Sequence, residues 1–173
     1  MDPQEVICSA IRIHCSEMFE HYEVPLTETD GLDDDQEMIA VIGFSSENLK
    51  GALGLACAKE PLARSACSAL GLAEVDDQIL TDWLGELSNQ LLGRLKRTML
   101  DYSVEIYLAT PIVLSGLKLS IAGNSPAARV SFTTDSGGIW ASVETRFPEG
   151  LKLVYSPPSE DDTMMDDGMA MFF

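Results

Sequence analysis

Between Asp77 and Leu100 runs a proline-free stretch whose leucines, Leu80, Leu84, Leu87, Leu91 and Leu95, repeat at helical spacing. A stripe this long commits the chain to an amphipathic helix laid along an apolar surface, and the rest of the fold has to supply that surface. Asp76 or Asp77 can cap its start. Arg94, Lys96 and Arg97 lie towards its end, so the charges at both ends suit the helix dipole. The spacing predicts one unbroken helix over Asp77–Leu100.

The surface under it is a sheet. Residues 3–22 read as a first helix, with Val6, Ile7, Ala10, Ile11, Met18 and Phe19 near helical spacing and Pro3 in the first turn. A loop to about Gln36 follows, built around Pro25, Gly31 and Asp33-Asp34-Asp35. Met38–Phe44 and Leu49–Cys57 read as a hairpin across Ser45-Ser46-Glu47-Asn48, and Glu60–Leu70 as a short helix stopped by Gly71. After the long helix come five strand-like segments: Val104–Ala109, Ile112–Ser115, Leu117–Ala122, Arg129–Thr134 and Gly138–Arg146. Turn residues at Gly116, Gly123-Asn124-Ser125-Pro126 and Asp135-Ser136-Gly137-Gly138 separate them. Alternation in Val104/Ile106/Leu108 and Ile139/Ala141/Val143 predicts strands with one covered face. The order predicts an α+β protein with a largely antiparallel sheet and long helices packed on it.

The chain's 173 residues fit one domain over 1–155 followed by a tail at 156–173. From Ser156 the composition turns to Pro, Ser, Asp, Glu and Met, which by composition is a disordered tail. A net charge of −17 speaks against nucleic acid as a partner. Residues 28–37 and the tail together hold 11 of the 28 acids, so the remaining chain carries only −6 of the −17. The acidity is mostly that of a loop and a tail and says little about the folded body. No apolar run reaches the length of a membrane span, and Met1-Asp2-Pro3-Gln4-Glu5 lacks the basic start of a secretory signal. The expectation is a cytoplasmic protein away from membranes.

On a helical wheel Asp82, Glu86, Asn89 and Gly93 share an arc of about 60° opposite the leucines. By periodicity alone such a row is a solvated face. The segment Asp82-Trp83-Leu84-Gly85-Glu86-Leu87-Ser88-Asn89-Gln90-Leu91-Leu92-Gly93, however, resembles the signature of the CheC/CheX phosphatases of bacterial chemotaxis. That signature has Asp or Ser, three residues, Glu, two residues, Asn, and a proline about 22 residues on. Here 21 residues separate Asn89 from Pro111, one short of the usual spacing. Ala109–Gly116 resembles the family's strand-to-proline segment and Val130–Arg146 its closing hairpin, so the resemblance spans roughly residues 3–150.

The resemblance implies hydrolysis of the phospho-aspartate of a CheY-like receiver domain. Asn89 would orient the attacking water and Glu86 would pair with the receiver's lysine, while Asp82, Gly93 and Pro111 support them. The chemistry suits these residue types, because the receiver already manages the phosphoryl charge with its own Mg²⁺ and lysine. What remains is to place a water in line with phosphorus. An amide can do so, its oxygen accepting from water while its nitrogen donates elsewhere. The phosphatase would need no metal of its own. One signature, where CheC-type members carry two, points to the single-site CheX branch and to a homodimer. The alternative is a non-catalytic adaptor of the same fold, as in the middle domain of flagellar switch proteins, which lack the paired Glu and Asn. Retention of both Glu86 and Asn89 favours the enzyme.

Other signals are better explained without chemistry. Asp135-Ser136-Gly137-Gly138 has the look of a serine-protease segment, but the only histidines, His14 and His21, fall in the first helix, and a hairpin turn accounts for it. Neither His14 with Cys15 nor His14 with His21 forms a recognised metal-ligand set. Asp82 and Glu86, side by side on an exposed helix, lack the cleft that would separate their roles as an acid pair. Cys8, Cys15, Cys57 and Cys67 show no CxxC pairing and read as free thiols. The tail's Met169, Met171, Phe172 and Phe173 form a candidate linear docking motif, against the alternative of a solvated end.

Overall fold

The first helix, α1 (Pro3–His21), begins at Asp2, whose extended backbone lets its carboxylate accept the Gln4 N–H at 2.8 Å. The structure, a computed structural model, describes residues 1–30, 36–119 and 127–157. After α1 come β1 (Thr27–Glu28), β2 (Gln36–Ser45), β3 (Lys50–Cys57), α2 (Lys59–Leu70) and α3 (Asp77–Leu100). The chain then adds β4 (Tyr107–Leu108), β5 (Ile112–Leu119), β6 (Ala127–Thr133) and β7 (Gly138–Arg146). The fold is α+β, as the sequence predicts.

All strand pairs are antiparallel, in the order β1-β6-β7-β3-β2, with β4 and β5 both on the outer side of β2. β4 pairs with Phe44 and Ser45 at one end of β2, and β5 with Val41 to Gln36 at the other. The two are thus one edge strand interrupted at Ala109-Thr110-Pro111. Proline, which has no N–H to give to a ladder, is tolerated there because the strand is at an edge. The predicted strand Val104–Ala109 shortens to two paired residues. Ser103 takes a left-handed φ of 60° as the chain leaves α3, and Val104 still donates to Met99 O.

Gly116 does not divide two strands as expected. β5 runs through it, and the ladder absorbs the irregularity between Gln36 and Met38, where three residues of β5 face one of β2. The predicted loop from residue 23 to about Gln36 is also shorter, because Thr27 and Glu28 pair with Thr133 and Phe132. Two residues are too few to show alternation. The Asp135–Gly138 segment is the hairpin turn predicted: Thr134 donates across it to Gly137 O from both its backbone N–H and its hydroxyl, and Asp135 pairs with Arg64.

The three helices pack on one face of the sheet. Ile7, Ile11, Met18 and Phe19 of α1, Leu62 and Ala66 of α2, and Leu84, Leu87, Leu91 and Leu95 of α3 close over Met38, Ile42, Leu53, Leu55, Ile139 and Val143. Each of these side chains except Ala66 contributes roughly 1.5–3 kcal/mol by leaving water. The expectation of one covered face is too simple for β7. Trp140 is also buried, in a row with Ile39 and Ala56 on the face away from the helices, and Arg129 lies 4.6 Å from its ring centroid. Gly51 is required where β3 crosses beneath Phe44, since a Cβ there would stand 2.5 Å from Glu144 O. Among the described residues no helix is long and apolar enough to cross a membrane. The docking motif expected at Met169, Met171, Phe172 and Phe173 lies outside the described residues.

Candidate functional site

α3 is built as its sequence predicts, from Asp77 to Leu100, with the Asp76 carboxylate accepting the Ile79 N–H at 2.8 Å. Its buried surface is broader than the leucine stripe: Trp83, Gly85, Ser88, Leu92 and Met99 are buried as well. The helix therefore lies in a trough between α1, α2 and the sheet, and only a narrow strip faces outward. Trp83 ties it to α2 by donating to Ser65 Oγ at 2.9 Å, and Ser65 in turn donates to Leu62 O.

The outward strip is the row marked by the sequence. Asp82, Glu86 and Gly93 are exposed and Asn89 is half-buried. Two acids at i and i+4 repel by a few tenths of a kcal/mol, and a glutamine one turn from each offsets this. Gln78 Nε2 donates to Asp82 Oδ1 at 3.1 Å and Gln90 Nε2 to Glu86 Oε1 at 2.9 Å. Only one oxygen of Glu86 is engaged among the described residues. Among the described residues Asn89's side chain has no hydrogen-bond partner, so both its amide oxygen and its nitrogen are free to act outward.

Pro111 comes to the same helix from the edge of the sheet. A Cβ at Gly85 would stand 3.9 Å from Pro111 Cγ and 3.7 Å from Val113 Cγ2, so the broken edge strand packs on α3 at the residue before Glu86. Gly93 differs from Gly85: a Cβ there would meet nothing within 4 Å. Beyond it, an open groove of about 800 Å³ between α1 and α3 is lined by Glu17, Gln90, Gly93, Arg94 and Arg97. A more enclosed cavity of about 470 Å³ lies at the far end of α3, beside Met99, Tyr102 and Phe147, and no member of the row lines it.

Two residues of this site escape a reading by motif. Gln90 follows the signature asparagine directly, and Tyr22, whose hydroxyl donates to Gln90 Oε1 at 3.0 Å, stands 68 positions earlier. Four-residue spacing from Glu86 could have singled out Gln90. No local pattern could have found Tyr22. Among the described residues no three His, Cys, Asp or Glu side chains converge as a metal site.

Among the described residues, a single antiparallel sheet with three helices on one face, the longest carrying an exposed acid–amide row, makes an α+β protein of the CheC/CheX type. The family model of the chemotaxis phosphatase CheX matches residues 38–135, more than half of the chain, and the chain belongs to that family. No curated protein sequence matches it. Among solved structures it is similar to the chemotaxis protein CheX from Vibrio vulnificus. The TM-score is 0.75 at 15% identity, covering 84% of this chain and 100% of that one. A CheC-like superfamily protein from Shewanella sp. PV-4 gives a TM-score of 0.71 at 21% identity, covering 84% and 99%. The CheX–CheY–BeF3–Mg²⁺ complex from Borrelia burgdorferi gives 0.65 at 16% identity, also covering 84% and 99%. At these identities the likeness is one of fold.

Proposed function

We propose that this chain is a cytoplasmic phosphatase that hydrolyses the phospho-aspartate of a CheY-like receiver domain. Asn89 holds the attacking water and Glu86 engages the receiver's lysine. The observation that carries the reading is that, among the described residues, Glu86 is half-engaged one turn from an unpartnered Asn89, on the face of α3 that the core leaves open. With Oε1 held by Gln90, Oε2 is left to accept from an incoming ammonium, a charge-assisted bond stronger than a neutral one. The Asn89 amide oxygen can accept from water and align it with phosphorus, which is the positioning that a receiver's own Mg²⁺ and lysine do not supply. A neighbour of the same fold is known in complex with CheY, BeF3 and Mg²⁺, and this supports a receiver as partner. The Mg²⁺ is the receiver's, and Asp82 and Pro111 act as supports of the helix and its edge.

Phosphate release from a phosphorylated CheY-like receiver tests this. Wild type should accelerate release, Asn89→Ala should lose on the order of a hundredfold in kcat, and Glu86→Ala should raise KM. Failure of wild type to accelerate any receiver from the same cell would sink the phosphatase and leave the adaptor of the same fold.

We also propose a homodimer formed along β5. From Tyr107 to Leu117 the edge carries no charged residue, and Ile112 and Leu114 are 66% and 51% exposed. Leu114 continues the buried row of Ile39, Ala56 and Trp140 to the rim of the sheet. An uncharged apolar edge is a template for another strand, and a second copy satisfies it with closed two-fold symmetry.

A further inference from the structure

We infer that Tyr22 and Gln90 are positioning residues for Glu86, a relay that fixes the docking carboxylate before the receiver arrives. The inference rests on the receiver-docking role proposed above for Glu86 and adds the device that holds it in place. The relay is a directed chain. Tyr22 Oη donates to Gln90 Oε1 at 3.0 Å, and Gln90 Nε2 donates to Glu86 Oε1 at 2.9 Å. Its polarity admits one amide orientation, because the flipped amide would set its oxygen against the carboxylate with two acceptors facing each other. A donor hydrogen bond onto the amide oxygen also sharpens the N–H that points to Glu86.

The start of the chain is anchored in packed structure. Tyr22 caps the C-terminus of α1, and its ring meets the edge of Trp83 at 4.9 Å between centroids. Trp83 is itself buried and bonded to Ser65 of α2. The hydroxyl thus projects from a ring that ends α1 and packs on α3, whose Trp83 is tied to α2, and it brings that rigidity to the outward strip of α3. An exposed glutamate on a free rotor would lose side-chain entropy on meeting an ammonium. Here much of that loss is taken in folding, and Oε2 is left pointing outward. Asn89, one turn away, is outside the relay, so Tyr22 and Gln90 act on docking and not on the water.

Steady-state turnover of a phosphorylated CheY-like receiver by Tyr22→Phe, Gln90→Met, Glu86→Ala and the double variant Glu86→Ala/Gln90→Met tests this. Tyr22→Phe and Gln90→Met should each raise KM about threefold to tenfold and leave kcat near wild type. In the Glu86→Ala background Gln90→Met should add nothing. An additive double variant, or a loss in kcat in place of KM, would overturn the relay. If Glu86→Ala raises KM but Tyr22→Phe and Gln90→Met match wild type, the relay fails alone. If Glu86→Ala leaves KM unchanged, the docking role itself fails. A receiver-free measurement completes the test: the Gln90 side-chain amide resonances of the full chain should shift in Tyr22→Phe and in Glu86→Ala. Unmoved resonances would overturn the relay whatever the turnover shows.

Discussion

Gly93 is the residue whose cost is plainest and whose local reason is absent. It sits inside a 24-residue helix, exposed, with nothing within 4 Å of where a Cβ would be. An alanine there would favour the helix by about 1 kcal/mol, so packing does not explain the glycine. It lies one turn beyond Asn89 on the outward strip, where, on the function proposed above, a bare backbone would let the receiver come close. Gly93→Ala should therefore raise the urea midpoint, while Gly93→Trp should fold normally and raise KM for the phosphorylated receiver. A Gly93→Trp variant with wild-type KM would end the docking face before Gly93. Gly51 is the opposite case, fixed by crowding from Phe44 and Glu144 and unrelated to partners. Both are bare letters in the sequence, and only their surroundings distinguish them. The outward placement of Glu86 and Asn89 is legible by helical phase, but the Tyr22 hydroxyl, bonded to Gln90 and through it to Glu86, comes from a distant segment.

At the scale of elements, legibility follows length and period. α3 is readable to its termini because five leucines at regular spacing and a capping Asp76 agree over the whole segment. The edge strand is not, because its signals conflict: Gly116 carries the composition of a turn, yet β2 offers a ladder that carries the strand past it. Pro111 marks a true break, and the break is what lets the strand bend onto α3 at Gly85. That edge also carries the dimer proposal, whose consequence is measurable. Light scattering should give a dimer for wild type and a monomer for Leu114→Lys, with unchanged circular dichroism, since Leu114 lies at the rim and outside the core. A monomeric wild type at tens of micromolar would discard β5 as a self-pairing edge. Leu114→Lys should also leave phosphatase turnover intact per subunit, because the row on α3 faces away from that side of the sheet.

For the molecule as a whole, the core's thiols set how it responds to alkali. All four cysteines are free, and Cys15 of α1 and Cys57 of β3 are fully buried in the cluster that joins the helices to the sheet. Burial pushes the Cys15 thiol up to about 12 from its ordinary 9.0, and pushes Cys57 well upward too, with Cys15 nearby adding to the shift. The folded state thus keeps protons that the unfolded chain releases near pH 9. Stability from this source is complete below pH 9 and is lost as pH rises towards 12, at about 1.4 kcal/mol per pH unit for each thiol. Lysines and tyrosines titrate in the same range, so the informative quantity is a difference between proteins. Urea unfolding of wild type and of Cys15→Ala/Cys57→Ala should show the variant less stable at pH 8, from the cavities it carries, and less sensitive to pH between 9 and 10.5. At pH 8 a thiol reagent should reach Cys8 and Cys67, which are half-buried, while Cys15 and Cys57 react only after unfolding. Equal pH slopes for the two proteins would mean that the buried thiols ionise without resisting, and that the junction of α1 with β3 opens more readily than its packing implies.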